Sequence, residues 1–306
     1  MAINSSPKIL ISSQIMPPIR IVVTGATGFI GRQIYNNLIK KQDIEVIGVT
    51  RTGSEKFLKV NNYHDSPAGD ILIHLAQDNR LTTPATTVNL EDETVYLNTM
   101  SSLLKKKYGR IVYVSSGALY GDASKTPHIP DDEVFVSSSY TRVKYLAENA
   151  VINDKNGIVA RLGNVYGFGM SGANVLSRLL EQIESQGDLR VDDTRPIRDF
   201  IWVEDVVEGI LSLALADFRD FRDRRIYNLG TGIGTSIGDL ARLVLEIAGQ
   251  TERHVVSETQ TTRESNVVLD FSDTTRACGW IPITSLRSGI SQLLNVGREV
   301  KSCRRD

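Results

Sequence analysis

Thr24-Gly-Ala-Thr-Gly-Phe-Ile-Gly31 is the stretch on which the reading of the fold turns. It follows the β-rich run Ile21-Val-Val-Thr24 and opens an amphipathic helical run over 30–41. Strand, glycine turn and helix in that order begin a β-α-β unit, and each glycine has a physical reason there. Gly25 permits the tight turn, Gly28 lets backbone N–H groups approach a pyrophosphate, and Gly31 lets the helix pack closely on the strand. Thr27, Phe29 and Ile30 stand between them and complete the candidate contact surface. The spacing is GxxGxxG, and on this stretch alone a turn that binds nothing stays open as the alternative.

Outward from the loop, β-rich runs alternate with helical ones. Residues 45–50 read as a second strand, while Ile71-Leu-Ile-His-Leu75 and Ile111-Val-Tyr-Val114 are the near-continuous apolar runs of strands buried on both faces. Residues 158–162 and 226–229 read as further strands, and 94–107, 140–151, 174–186, 205–216 and 236–248 as helices. This alternation predicts an α/β fold: a doubly wound parallel sheet of the Rossmann type with a smaller C-terminal substrate-binding lobe. The expected division is a tail over 1–18, a dinucleotide-binding domain over 19–163 to which 199–230 returns, and the substrate lobe over 164–198 and 231–306. Lys105-Lys-Lys107 reads as a helix C-terminus, where cations meet the negative end of the dipole. The charge-alternating 217–225 reads as a solvated connection, and His74, alone in a buried strand, as a structural residue.

Across 306 residues, 35 basic side chains oppose 36 acidic ones, so no global field draws the chain to nucleic acid or an anionic membrane. No apolar run approaches the roughly 20 residues that span a bilayer. The short apolar stretch over 8–16 is broken by Ser12, Ser13 and Gln14. The cysteines, Cys278 and Cys303, are too few for a disulfide framework or a zinc cluster. A cytoplasmic protein without a metal, a membrane or a nucleic-acid partner is expected.

The candidate chemistry lies after the central strands. Ser115-Ser116 follows 111–114, at the carboxyl end of a strand, where open α/β sheets bind ligands. Tyr140 and Lys144 stand at i and i+4 and so share a helix face, where an ammonium lowers the pKa of a neighbouring phenol. Such a set transfers a proton as hydride moves: the tyrosine gives or takes it, the serine bonds the substrate oxygen, and the lysine holds the nicotinamide ribose. At the end of the second strand stands Arg51, where an acid would bond a ribose 2′-hydroxyl. The arginine favours NADP over NAD, since its fork pairs a 2′-phosphate.

With these residues in order, the sequence resembles the extended short-chain dehydrogenase/reductase family, in its nucleotide-sugar epimerase, dehydratase and reductase branch. The resemblance rests on the glycine loop, His74-Leu75-Ala76, Ser115-Ser-Gly-Ala-Leu-Tyr-Gly121, Tyr140-x-x-x-Lys144, Arg161-Leu-Gly-Asn-Val-Tyr-Gly167, Arg198-Asp-Phe-Ile-Trp-Val-Glu-Asp205, Tyr227-Asn-Leu-Gly-Thr-Gly232 and Gly279-Trp280. It implies that Ser116, five places before Gly121, is catalytic with Tyr140 and Lys144, and that Leu75, Ala76 and Asn89 contact the cofactor. It further implies that Asn164 contacts the substrate and that Arg198 and Arg263 bind a nucleotide diphosphate, for which paired guanidinium groups are suited. A nucleotide-diphosphate-sugar substrate and a homodimer are expected with it.

Two departures shape the expectation. Only about twenty residues separate Arg51 from the strand at Ile71, so the usual helix there is not expected, and Tyr63, His64 and Asp65 become candidates for the adenine side. Gly117-Ala118 stands where the dehydratase branch carries an acidic pair, which disfavours dehydration. The leading expectation is NADP-dependent reduction of the 4-keto group of a nucleotide-linked deoxysugar. An NAD-dependent nucleotide-sugar 4-epimerase is the alternative, and a non-catalytic dinucleotide sensor the third.

Overall fold

A computed structural model describes residues 17–53, 55–77, 90–221, 224–259 and 265–302. Strand β1 (Ile19–Thr24) passes through the glycine loop into α1 (Phe29–Leu38), followed by β2 (Ile44–Thr50), β3 (Leu58–Lys59) and β4 (Ile71–His74). Then come α2 (Leu90–Leu104), β5 (Arg110–Ser116), α3 (Ser139–Ile152), β6 (Gly157–Leu162), β7 (Asn164–Tyr166), α4 (Val175–Gln182) and β8 (Leu189–Val191). The chain continues with β9 (Ile197–Trp202), α5 (Val203–Leu215), β10 (Ile226–Leu229), β11 (Gly234–Ser236), α6 (Ile237–Ala248), β12 (Val255–Ser257), β13 (Asn266–Val267), α7 (Ser272–Cys278) and α8 (Leu286–Ser302). No helix among the described residues is long and apolar enough to cross a membrane.

Seven strands form one parallel sheet in the order β3-β2-β1-β4-β5-β6-β10. The order reverses between β1 and β4, and there Thr24 pairs in register with His74. A crevice therefore opens at their carboxyl ends, as the winding of such a sheet requires. Alternate residues of each strand enter opposite cores. On one face Ile21, Val23, Ile73 and Val112 pack with Ile34 and Leu38 of α1 and Val206 and Ile210 of α5. On the other, Val22, Leu72 and Ile111 meet Met100 and Leu103 of α2 and Val143, Ala147 and Val151 of α3. A third core, around Leu176, Leu179, Phe200, Trp202, Leu240 and Val244, belongs to α4, α6 and the strands between them.

Between β3 and β4 the chain makes only a single 3-10 turn, Tyr63–Asp65, and no helix. The stretch 217–225 differs from its reading as a solvated connection. It contains a 3-10 turn, Phe218–Phe221, that leaves Phe221 only 1% exposed. The buried Arg110 guanidinium covers that ring at 4.6 Å and donates to the Leu213 carbonyl at 2.7 Å. One aromatic anchor was hidden among charges that do pair in solvent, as Arg219 does with Asp217.

Candidate active site

The glycine loop owes its shape to backbone crowding. Gly25 has φ of +72°, and a Cβ there would lie 3.0 Å from the Ala76 nitrogen, so β1 and β4 approach through a position that only glycine fills without strain. At Gly31 a Cβ would fall 2.3 Å from the Gly25 carbonyl oxygen. Ala76, 4% exposed, is thus the wall against which the loop turns. Gly28 caps α1 without a side-chain bond, which leaves the N–H groups of the first helical turn for a ligand.

Ser116 ends β5. Its hydroxyl accepts from the Ala118 N–H at 3.2 Å and caps the 3-10 turn Gly117–Tyr120. Helix α3 starts in a capping box between Ser138 and Thr141, which fixes the direction in which Tyr140 and Lys144 leave the helix. Lys144 is buried, donates from Nζ to the Val114 carbonyl at 2.8 Å, and lies 5.0 Å from the Tyr113 ring centroid. Burial pushes its ammonium down to about 8, and the Glu148 carboxylate opposes that fall. The Tyr140 phenol is raised by burial, with the bond to Ser116 working the other way. Sequence spacing alone suggests an ammonium that brings the phenol down; in the structure burial is the leading influence on the phenol and raises it, and Lys144 directs its bond at the Val114 carbonyl.

Ser116, Tyr140 and Lys144 line one cavity of about 300 Å³ together with Gly25, Gly28, Phe29, Ile30, Gly31 and Leu75. Where β2 ends beside the glycine loop, the Thr27 hydroxyl lies 3.1 Å from that of Thr50, which is 3.0 Å from that of Thr52. Arg51 stands between these threonines, its guanidinium 5.5 Å from the Tyr63 ring centroid.

Two more cavities continue the first. One of about 260 Å³ shares Ser116, Leu162 and Gly163 with it, and adds Asn164 and Arg198. Asn164 and Arg198 also line the next, of about 720 Å³, between α4 and β8. Arg198 is half-buried and donates to the Ile197 and Ser265 carbonyls at 2.8 and 3.1 Å and to the Ser265 hydroxyl at 2.8 Å. Burial lowers its pKa, with Asp122 opposing. Asn89 and Arg263 lie outside the described residues.

Other motif residues hold this geometry from behind. Asp199, 1% exposed, accepts from the Thr231 hydroxyl at 2.6 Å and from the Thr231, Gly232 and Leu269 N–H groups, which pins the loop after β10 to β9. Trp280 donates from its indole to the Asp205 carbonyl at 2.9 Å. His74 is buried and bonds the Thr24 hydroxyl through Nδ1 at 2.7 Å. A cavity of about 960 Å³ lies at the opposite end of the sheet, where Arg224 pairs with Asp131 and Asp273, away from the glycine loop.

A family model, that of the NAD-dependent epimerase/dehydratase family, matches residues 21–230. The chain belongs to this family. Within it, 26% identity joins the chain to a UDP-glucuronic acid decarboxylase of Arabidopsis thaliana over 92% of this chain and 69% of the relative. The same identity joins it to a dTDP-6-deoxy-L-talose 4-dehydrogenase (NAD(P)+) of Kitasatospora kifunensis over 90% and 95%. The solved UDP-glucose 4-epimerase of Thermotoga maritima shares its fold, with a TM-score of 0.74 and 23% identity over 92% of this chain and 99% of that one. The family is the nucleotide-sugar branch of the extended short-chain dehydrogenases/reductases, and the chain is an enzyme of that type.

Proposed function

We propose that the chain is an NADP-dependent reductase of the 4-keto group of a nucleotide-linked deoxysugar. The observation that carries this reading is the continuity of the cavities: Ser116, Tyr140 and Lys144 stand where the glycine-loop crevice opens toward Asn164 and Arg198. The crevice fits a dinucleotide. Its loop is free of side chains where Gly25 and Gly31 crowd the backbone, the N–H groups of α1 face a pyrophosphate, and Lys144 is within the same cavity for the ribose. When bound, the nicotinamide supplies the hydride.

The chain's own residues do the rest. Ser116 bonds the sugar oxygen and holds the carbonyl in place. Tyr140 gives its proton to that oxygen as negative charge develops there, and its raised pKa keeps it protonated and ready to do so. Lys144 orients the ribose. Arg198 binds the diphosphate where the second cavity meets the third, so the sugar lies over Ser116. The proposed lobes are 19–163 with 199–230 for the dinucleotide, and 164–198 with 231–306 for the substrate, in a cytoplasmic homodimer. Gly117 and Ala118 offer no carboxylate for elimination, which weighs against dehydration.

The Kitasatospora relative, named a 4-dehydrogenase of a deoxysugar nucleotide, supports hydride transfer at C4 of such a substrate. Family membership equally supports a second reading, an NAD-dependent nucleotide-sugar 4-epimerase, because removal and return of a hydride at one carbon uses the same three side chains. The ribose corner separates the two. With Arg51 between Thr50 and Thr52 and no acid at the end of β2, NADPH is expected to bind more tightly than NADH. Arg51→Ala is expected to weaken NADPH by about 1.5–3 kcal/mol and leave NADH nearly unchanged. Titration of both cofactors against both proteins tests this; an NADH preference insensitive to Arg51 would move the assignment to the epimerase.

Arg198→Ala is expected to weaken a nucleotide diphosphate by about 1.5–3 kcal/mol with far less effect on the dinucleotide. Calorimetry with UDP and dTDP, and with NADPH for comparison, checks it. Equal losses on all ligands would confine Arg198 to its bonds with Ser265.

A further inference from the structure

The 3-10 turn Tyr63–Asp65, in the short link between β3 and β4, has no part in the chemistry proposed above. Hydrogen bonds fix its backbone. The Asp65 N–H donates to the Asn62 carbonyl at 3.0 Å, and Ser66, fully buried, donates to the Tyr63 carbonyl from its N–H at 3.1 Å and from its hydroxyl at 2.6 Å. The half-buried Tyr63 ring packs against the core that contains Val22, Leu72 and Met100, and it meets the buried His74 ring at 6.4 Å and nearly at right angles. Its neighbours His64 and Asp65 are exposed and lie 3.3 Å from one another. The turn therefore presents one aromatic ring whose place is set by the core behind it.

Arg51 is held at its root and touched near its tip. At the root, the buried Thr50 hydroxyl accepts from the Thr52 N–H at 3.1 Å, and the Val60 N–H donates to the Thr50 carbonyl at 2.9 Å where β3 pairs with β2. Near the tip, the guanidinium lies 5.5 Å from the Tyr63 ring centroid, within the roughly 6 Å over which a cation is drawn to a ring face. The side chain between these points is exposed and has several rotatable bonds. A fork that must meet a phosphate in two places loses affinity to every conformation that points elsewhere, and a fixed ring against the guanidinium reduces that loss without touching the ligand.

We propose that Tyr63 is a positioning residue for cofactor choice: its ring seats the Arg51 guanidinium where the 2′-phosphate of NADPH binds, and so strengthens NADPH while leaving NADH untouched. The inference rests on Arg51 being the residue that pairs that phosphate. The ring face does the positioning, so the phenol hydroxyl is dispensable. A ring that stacked on the adenine instead would serve both dinucleotides alike, because they share that base.

The test is calorimetric titration of NADPH and NADH into wild type, Y63L, Y63F, R51A and the double variant R51A/Y63L. Y63L is expected to raise the NADPH dissociation constant about two- to fivefold, the worth of an exposed cation–ring contact, and to leave that of NADH unchanged. Y63F, which keeps the ring, is expected to match wild type, and Y63L is expected to cost nothing further once R51A has removed the guanidinium. Pentafluorophenylalanine in place of Tyr63 keeps the ring's shape but removes the negative charge from its face, and it is expected to reproduce the loss should Y63L fail to fold. Unchanged NADPH affinity in the folded Tyr63 variants, with R51A still losing it, overturns the inference alone. Equal losses on NADPH and NADH overturn it in favour of a ring on the adenine, and a loss that persists in the R51A background overturns it as well. If R51A itself leaves NADPH unchanged, the reading of Arg51 fails and the inference with it.

Discussion

Tyr140→Phe is expected to lower turnover by roughly 10² or more while the fold and the dinucleotide affinity stay close to wild type, as loss of a positioned general acid does. The phenol is the proton donor of the proposed reaction, and the ring without its hydroxyl still fills the same place on α3. Steady-state rates with a nucleotide-linked 4-keto sugar, together with an NADPH titration, separate the two effects. Full activity in the variant would remove Tyr140 from the chemistry. The consequence of burial is that the phenol stays protonated through neutral pH, so it is ready to give a proton and reluctant to lose one unprompted.

Gly31→Ala is expected to have the largest effect on binding. Its Cβ would sit 2.3 Å from the Gly25 carbonyl oxygen, a backbone atom that cannot turn aside as a side chain does. α1 must then move off β1, at about 1–3 kcal/mol of stability for such overpacking, and the N–H groups proposed to hold the pyrophosphate move with it. Gly157→Ala is the control. Its Cβ would fall 1.9 Å from the Val151 carbonyl oxygen at the amino end of β6, away from the crevice. Both variants are expected to lower Tm, but only Gly31→Ala to abolish NADPH binding. Unchanged affinity in a folded Gly31→Ala would contradict the role given to the loop.

The elements that position the site were legible in the sequence because they are long and periodic. β5 is a run of apolar residues buried on both faces, and α3 carries its inward positions at helical spacing from Val143 to Val151. The order of glycine loop, serine-ended strand and Tyr-x-x-x-Lys helix was equally plain, since each signal lies within a few residues. Strands β3, β7, β8, β9, β11, β12 and β13 were not. All but the six-residue β9 are two or three residues long, and they exist through partners in other parts of the chain, as Val255 finds Leu189 and Asn266 finds Ile197, so no local period announces them. Asp199 illustrates the same limit. As a charged residue beside Arg198 it reads as part of a binding motif, and only the fold brings Thr231 to its carboxylate and makes it a buried brace. The acidity of Tyr140 was misjudged for a related reason: spacing tells which groups are neighbours, whereas desolvation depends on everything that covers them.

Transfer of label from the cofactor tests the central claim most directly. NADPH deuterated at nicotinamide C4, prepared separately with the label on each face, is incubated with the enzyme and a nucleotide-linked 4-keto-6-deoxysugar, and the sugar product is examined by mass spectrometry and NMR. A reductase that uses Tyr140 as its acid is predicted to give stoichiometric NADP, with one deuterium at C4 of the sugar from one face only and none in Tyr140→Phe on the same timescale. Sugar that inverts at C4 with no net consumption of NADPH and no label gained would contradict the account.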